Sequence, residues 1–201
     1  HLTGMSKEYT GTLRLGLTTH SYDADGTIES ESDVPELTQD ELAQYLLPYT
    51  GTIEQIPPMV SAVKVGGERL HKLARQGKTV ERKPRSVTVL NFDLHTWDSP
   101  DATFRVECTS GTYVRSLCHD IGQDIGCGGI LASLRRTAIG VHRVDNATPL
   151  DQLTTIDEVT SKLLPMGEVL DMPEVIINAQ GLRMVTSGNQ INPKQIVGDI
   201  P

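Results

Sequence analysis

Residues 86–125 read SVTVLNFDLHTWDSPDATFRVECTSGTYVRSLCHDIGQDI, and this stretch decides the fold class. Residues 86–95 and 103–109 alternate apolar and polar side chains, which is the period of a strand with one buried face. Residues 114–125 instead repeat apolar side chains at helical spacing, and Gly126 ends that helix. Two successive strands followed by a helix break the regular alternation of a doubly wound sheet, so the sequence predicts an α+β fold.

Both flanks of this stretch add strands and helices in irregular order. Period-two spacing predicts a strand over 9–17, and the turn SYDADGT (21–27) leads to a partner strand that begins at Thr27. Thr38 followed by Glu41 has the form of a capping box ahead of a helix. The remaining predicted elements are helices over 42–47, 69–76, 130–136 and 156–164, a strand over 139–144, and the start of a small β-rich module over 172–201.

The composition is that of a folded chain without a membrane segment. Of 201 residues, 37% are hydrophobic and 22% charged, enough for one domain and part of another. No apolar run approaches about 18 residues and no signal peptide opens the chain, so we predict no membrane association and a cytoplasmic location. Neither metal-ligand spacings nor a glycine-rich phosphate loop occurs, which predicts no metal and no cofactor. Cys108, Cys118 and Cys127 are too widely spaced for a zinc or disulfide framework and are interpreted as buried free thiols.

Charge is segregated along the chain, whose net charge is −8. Residues 15–63 hold nine acidic side chains and no lysine or arginine, whereas residues 64–85 hold eight basic side chains against two acidic ones. A stretch with this net charge of +6 could follow a phosphate backbone. It could equally be a solvated, charged helix and loop, and the pattern alone does not decide between the two.

The densest group of chemically useful side chains is SGTYVRSLCHDIG (110–122), between a predicted strand and a predicted helix. Tyr113 offers a ring face and a hydroxyl, and Arg115 offers a permanent charge whose planar fork can hold a carboxylate or a phosphate. The plain alternative, a tyrosine at the edge of the core beside a surface ion pair, stays open at this point. His119 and Asp120 are adjacent and point apart on a helix, so we do not interpret them as a catalytic dyad.

Several strings, taken together, resemble one family. They are KEY (7–9), RLGL (14–17), YDADG (22–26), GTIEQIPPMVSAVKVGGERLHKLARQG (51–77), SGTYVRSLCHDIG (110–122) and GCGGILASLRRTAIG (126–140). In this order they resemble the bacterial tRNA pseudouridine-55 synthases of the TruB type. The resemblance implies a mixed, mainly antiparallel sheet flanked by helices in a catalytic domain at 1–171. It also implies the beginning of a small, PUA-like RNA-binding domain at 172–201.

The resemblance implies a set of site residues as well. Tyr9 corresponds to the active-site tyrosine beside the target uridine, where it could act as a stacking surface or as a proton acceptor. Tyr113 corresponds to a second tyrosine that contacts the flipped nucleotide. Arg115 corresponds to the partner of the catalytic carboxylate, and Leu134 to an apolar residue that lines the base pocket. Residues 64–85 correspond to a thumb loop that grips RNA, whose implied contacts are Lys64, Arg69, Lys72 and Arg75.

One family feature is missing from the 201 residues. The nucleophile of the family is an aspartate within a Gly-x-Leu-Asp-Pro-x-Ala-x-Gly type motif that precedes the KEY strand, and no such string occurs here. We therefore expect the chain to be a fragment that is inactive alone. None of its own aspartates is expected to replace that nucleophile.

Three classes of function remain after this comparison of motifs. The resemblance implies an isomerase that converts a uridine of the tRNA T loop to pseudouridine by base flipping, as a monomer without a cofactor and with the T arm of tRNA as its partner. A non-catalytic RNA-binding or RNA-folding protein on the same scaffold is the alternative. A protein scaffold without an RNA role is the third class, and it rests only on the negative net charge.

Overall fold

The computed structural model describes residues 2–169 and 174–198. The chain divides into two compact units, His1–Ala147 and Thr148–Pro201. The boundary expected after residue 171 falls on residues 170–173, which lie outside the described residues, and it stays a prediction.

The first unit contains ten strands and three α-helices in its described part, in an order that fits the α+β prediction. The strands are β1 (Lys7–Leu15), β2 (Leu17–Thr19), β3 (Ile28–Glu31), β4 (Gly51–Gln55), β5 (Lys64–Val65), β6 (Glu68–Arg69), β7 (Arg85–Asp98), β8 (Asp101–Cys108), β9 (Gly129–Ile139) and β10 (His142–Arg143). The helices are α1 (Gln39–Leu46), α2 (Leu70–Arg75) and α3 (Val114–Ile125).

Six of these strands form one sheet in the order β10-β9-β1-β8-β7-β4, and every neighbouring pair is antiparallel. β1 is central because it pairs with β8 on one side and with β9 on the other. The short strands β2 and β3 form a separate hairpin, as do β5 and β6. The mixed, mainly antiparallel sheet implied by the resemblance is therefore confirmed.

The hydrophobic core lies on one face of this sheet, beneath α1 and α3. Leu13, Phe104 and Val106 point from the strands into the same cluster as Leu42 of α1 and Leu117 of α3. All five are almost fully buried, and each contributes about 1.5–3 kcal/mol relative to an exposed side chain. The alternating positions of β1 point to the other face, which is largely polar.

Helix α3 lies unusually close to β9 because glycines face each other at the contact. A Cβ added at Gly122 would stand 2.1 Å from the Gly129 nitrogen, and one at Gly129 would stand 2.6 Å from the Cys118 carbonyl oxygen. The helix ends at Gly126, whose φ of 92° is the left-handed conformation that favours glycine. This packing sets the distance between β9 and the C-terminal half of α3.

The helix predicted over 130–136 is wrong, because these residues lie within strand β9. Ile130, Leu131 and Leu134 fit a helical period, but the segment pairs with β1 along nearly all of its length. Ile130 and Leu131 are adjacent and both buried, so this part of the strand lacks the alternation of a strand with one buried face, and its local pattern does not distinguish a strand from a helix. Long-range pairing decides the outcome here.

The strand predicted over 139–144 is wrong as one element, because a turn at residues 140–141 separates the end of β9 from the two-residue strand β10. The remaining predicted elements of this unit are found close to their expected positions. The capping box at Thr38 is present in both directions, with the Thr38 side chain accepting from the Glu41 N–H and the Glu41 carboxylate accepting from the Thr38 N–H. Helix α3 covers the predicted residues 114–125, and the partner strand expected from Thr27 is β3.

The second unit holds short elements in its described part. They are α4 (Ile156–Lys162), α5 (Met166–Val169), β11 (Ile176–Ile177), α6 (Ala179–Thr186) and β12 (Ile196–Val197). β11 pairs with β12, yet the longest element after residue 174 is helix α6, so the β-rich expectation is met only in part. Residues 172, 173 and 199–201 of that expected module lie outside the described residues. Among the described residues no helix is long and apolar enough to span a bilayer.

Candidate active site

The N-terminus of α3 is held by a glutamine from the neighbouring strand. Gln55, at the end of β4, is 2% exposed and pairs with the backbone of Tyr113 through both ends of its amide. Its Nε2 donates to the Tyr113 carbonyl at 3.0 Å, and its Oε1 accepts from the Tyr113 N–H at 2.7 Å. This two-point pairing fixes Tyr113, which is the N-cap residue of α3 and has no side-chain cap of its own.

Arg115 lies one residue into the first turn of α3 and is only 19% exposed at its side chain. Its Nη1 donates to Asp23 Oδ2 at 2.9 Å, and its Nη2 donates to the Val60 carbonyl. The guanidinium also lies 5.9 Å from the centre of the Tyr113 ring, within the range of a cation–π contact. The structure thus brings Tyr113 and Arg115 together and adds Asp23 to them.

Asp23 lies in the loop between β2 and β3, which β9 holds in place. The Tyr22 carbonyl accepts from the Leu131 N–H at 3.0 Å, and the Ala24 N–H donates to the Leu131 carbonyl at 3.0 Å. Ser21 Oγ donates to Asp23 Oδ1 at 2.5 Å, so each carboxylate oxygen of Asp23 has a partner. The carboxylate is therefore held in a fixed orientation toward Arg115.

Tyr9 and Leu134 lie on the paired strands β1 and β9. Tyr9 is opposite Arg136, and Gly11, two residues along, is opposite Leu134. Partial burial raises the pKa of the Tyr9 phenol, and neighbouring Arg136 opposes that shift only in part. Leu134 is 43% exposed and lines a cavity of about 200 Å³ together with Asp23. Here an exposed leucine can contact the apolar face of a flat ligand, while the carboxylate beside it accepts hydrogen bonds from the ligand's polar edge.

The basic segment, residues 64–85, is an exposed hairpin and short helix. Strands β5 and β6 meet at Gly66 and Gly67, whose φ values of 60° and 87° are those of a tight hairpin turn. Leu70 and Leu73 bury the inner side of α2. The cations implied as RNA contacts all point to solvent: Lys64, Arg69, Lys72 and Arg75.

The base of the basic segment is fastened to the α3 N-terminus. The Val60 carbonyl accepts from Arg115, and Gln55 pairs with Tyr113. The chain that leads into the basic segment therefore contacts α3 at two points. On the return side, Arg82 Nη1 donates to the Pro57 carbonyl at 3.1 Å. The exposed cations and the candidate site therefore share one support.

Sequence reasoning missed two residues of this site, Asp23 and Gln55. The sequence pattern indicates only a turn at DADG, and it offers no partner for Arg115 other than the absent nucleophile. Both residues lie within strings that carry the family resemblance, YDADG and IEQIPP, and this was the available signal.

The cysteines and the remaining titratable side chains show no metal-ligating arrangement in the described parts of the chain. Within residues 2–169 and 174–198 no group of three or more His, Cys, Asp or Glu side chains could hold a metal ion. Cys108, Cys118 and Cys127 are free and buried, which confirms their interpretation as core thiols. Burial raises the pKa of the Cys118 thiol, so that it stays protonated and unreactive.

Family models cover most of the chain. The model described as "TruB family pseudouridylate synthase (N terminal domain)" matches residues 1–114, and "tRNA pseudouridylate synthase B C-terminal domain" matches residues 115–171. The fold and these matches define the class, a pseudouridine synthase scaffold. The chain belongs to the TruB family of pseudouridylate synthases.

Curated relatives agree with this assignment. A protein of Opitutus terrae named tRNA pseudouridine synthase B is 44% identical over 168 residues, which are 83% of this chain and 70% of that protein. The protein of the same name from Clostridium kluyveri is 35% identical over 95% of this chain and 66% of its own length. The one from Francisella philomiragia is 45% identical over 76% of this chain, and the match covers 51% of it. The chain thus spans about half to 70% of the length of these relatives.

Solved structures with lower identity share the fold. A chain of a Cbf5–Nop10–Gar1 complex superposes with a TM-score of 0.71 at 24% identity, over 96% of this chain and 52% of that one. A chain of an H/ACA RNP bound to a substrate RNA superposes with a TM-score of 0.67 at 21% identity, over 97% of this chain and 51% of that one.

Proposed function

We propose that this chain is the scaffold of a tRNA pseudouridine synthase that converts a uridine of the T loop to pseudouridine. The observation that supports it most is the Arg115 guanidinium, held at the start of α3 by Asp23 and Val60 beside the Tyr113 ring. A fixed, partly buried guanidinium can pair with a catalytic carboxylate, and the aromatic ring beside it can stack against an extruded base. The curated relatives are named tRNA pseudouridine synthase B, which supports pseudouridine formation in tRNA.

The reaction is an isomerisation. The bond from N1 of uracil to C1′ of ribose breaks, the base turns, and a bond from C5 to C1′ forms. The proton on C5 leaves, and N1 carries a proton in the product, so the atoms balance without an oxidant or a second substrate. A carboxylate nucleophile and one proton transfer meet these requirements.

The side chains of this chain have separate roles in that reaction. The target base has to leave its stack before it can react, and Tyr113 and Leu134 supply apolar surfaces to receive it. Arg115 is assigned the role of keeping a nucleophilic carboxylate ionised, because a nearby positive charge lowers a carboxyl pKa. Asp23 orients Arg115 for this role. The nucleophilic aspartate itself belongs to the family motif that precedes the KEY strand, and it is not among these 201 residues.

Tyr9 is assigned a neutral role in this proposal. Its pKa is raised by burial, so its phenol stays protonated near neutral pH and is a poor proton acceptor. A neutral phenol can still stack against the uracil or donate a hydrogen bond to it.

RNA is the proposed partner, and the basic segment is its proposed contact surface. Exposed cations such as Lys64, Arg69, Lys72 and Arg75 can neutralise successive phosphates of the T arm. We propose that the complete protein acts as a monomer in the cytoplasm.

The decisive experiment uses the product of the complete open reading frame. We expect it to form pseudouridine in a T-arm hairpin and to contain the aspartate motif before KEY. Arg115→Ala should lower the single-turnover rate by about 100-fold or more while the Kd for the hairpin changes less than about twofold. Arg14→Ala, which removes only the exposed ion pair with Asp101, is the matched control and should keep the rate within about twofold.

Two outcomes would contradict the proposal. A normal rate in Arg115→Ala would remove the carboxylate-partner role. Hairpin binding without any product, from a reading frame that lacks the aspartate motif, would favour a non-catalytic RNA-binding protein. Tyr9→Phe is expected to keep the wild-type rate, which would exclude a proton-transfer role for the hydroxyl, and a large loss would show that the hydroxyl takes part in the reaction.

A further inference from the structure

The residue before Asp23 has a backbone conformation that side chains other than glycine rarely adopt. Tyr22 has a φ of 67°, and no other non-glycine residue in the described parts of the chain has a positive φ. In this left-handed region Cβ crowds the following carbonyl, so the conformation persists only where surrounding contacts outweigh its cost.

The Tyr22 ring makes one such contact, with His119 of α3. The two ring centres are 3.8 Å apart and the planes differ by 11°, which is a stacked arrangement. His119 stands four residues after Arg115, so both side chains project from the same face of the helix. One helix face therefore holds two consecutive loop residues, Tyr22 by stacking and Asp23 by an ion pair.

The His119 ring is anchored by this stack rather than by hydrogen bonds. Its Nδ1 is buried and has no hydrogen-bond partner in the described structure. Burial also lowers the pKa of His119, which keeps the imidazole uncharged at neutral pH and therefore easy to bury against a phenol ring.

We propose that the stacked pair Tyr22–His119 is a positioning device that keeps the Asp23 carboxylate on the Arg115 guanidinium. The backbone bonds to Leu131 tether the loop to β9, and Ser21 Oγ donates to Asp23 Oδ1, but neither contact reaches the side of the loop that faces α3. The stack fixes that side and thereby fixes the direction in which Arg115 points. This inference rests on the proposed function, because there Arg115 is the partner of the nucleophile.

The first test measures single-turnover pseudouridine formation by the complete open-reading-frame product. His119→Ala and Tyr22→Ala should each slow the reaction about threefold to tenfold, the effect of losing one aromatic pair, with the hairpin Kd changed less than about twofold. His119→Phe and Tyr22→Phe keep the rings and should stay close to the wild-type rate. The double alanine variant should be no slower than the slower single variant.

A control variant and two contradicting results complete this test. Arg14→Ala removes only the exposed ion pair with Asp101 and should not change the rate. If His119→Phe is as slow as His119→Ala, or if the two alanine effects multiply, the positioning role is wrong. Thermal melts of all variants separate a local effect from loss of the fold.

The second test uses the 201-residue chain itself and does not depend on catalysis. Nitrogen-15 NMR reports how fast the Arg115 guanidinium rotates, with Arg115→Lys identifying the signal. Rotation should be slow in the wild-type chain and in His119→Phe, and fast in His119→Ala. Equal rotation in all three would overturn the inference. If the complete protein makes no pseudouridine but the NMR result holds, only the proposed function fails.

Discussion

Glu8 provides the sharpest quantitative prediction, because it is a buried carboxylate between two arginines on the polar face of the sheet. Its side chain is 7% exposed and accepts from Arg105 at 2.5 Å, from Arg143 at 3.1 Å and from the Thr137 hydroxyl at 2.6 Å. The hydrogen bond from Thr137, followed by those from the two arginines, lowers the Glu8 pKa from 4.5 to about 2. Glu8 thus joins β1 to β8, β9 and β10.

The shift converts into a stability difference with a definite sign. A pKa lowered from 4.5 to about 2 corresponds to about 3 kcal/mol between the two protonation states. Arg105 and Arg143 are 37% and 47% exposed, and solvent screening reduces the value to about 2 kcal/mol. Because the folded pKa lies below the unfolded one, this stabilisation is present above pH 4.5 and is lost as the pH falls toward 2.

The assay is urea unfolding of the wild-type chain and of Glu8→Gln from about pH 7 to about pH 2. We expect the variant to be less stable by about 2 kcal/mol at neutral pH, and the difference to shrink as the pH falls from about 5 to about 2. Asp101→Asn is the matched control: its partner Arg14 is 44% exposed, so its loss should cost less than about 1 kcal/mol. A Glu8→Gln difference that stays constant with pH would refute the electrostatic account.

Three further predictions concern the supports of the site and the basic segment. Gln55→Leu leaves the half-buried Tyr113 N–H and C=O without their partner and should cost about 1–3 kcal/mol in urea unfolding. Gly122→Ala places a Cβ 2.1 Å from the Gly129 nitrogen and should lower the Tm by several degrees, whereas Gly4→Ala, with open space around it, should not. Replacing the exposed cations Lys72, Arg75 and Lys78 by Glu should weaken hairpin binding. The slope of log K against log salt concentration should become shallower by about 0.7–0.9 for each phosphate that is no longer neutralised. An unchanged slope would mean that the segment is only a solvated surface.

The parts of the fold that local sequence decides were predictable. Helix α3 has its period and its terminating Gly126 within one stretch, and the capping box at Thr38 lies within four residues. Strand β9 was not predictable in this way, since its apolar residues suit a helix and its structure depends on pairing with β1, more than 100 residues earlier.

In the candidate site, too, local sequence predicts some residues and long-range contacts decide the others. Tyr113 and Arg115 are conspicuous because they lie close together in a dense motif. The ion pair of Arg115 with Asp23 joins residues 92 positions apart, and the pairing of Gln55 with Tyr113 joins residues 58 apart. No local period encodes such contacts. The left-handed conformation of Tyr22 is hidden for the same reason, because it depends on what α3 presents to the loop.

The fastening of the basic segment at both of its ends has a consequence for engineering. Because Gln55 and Val60 hold the entry and Arg82 holds the exit, the cost of closing this loop is met at its base. The tip at Gly66 and Gly67 is exposed. The entropic cost of loop closure rises by only about 0.6 kcal/mol for each doubling of the loop length. Residues inserted at that turn would extend the reach of the segment, while its anchored ends and Arg115 stay in place.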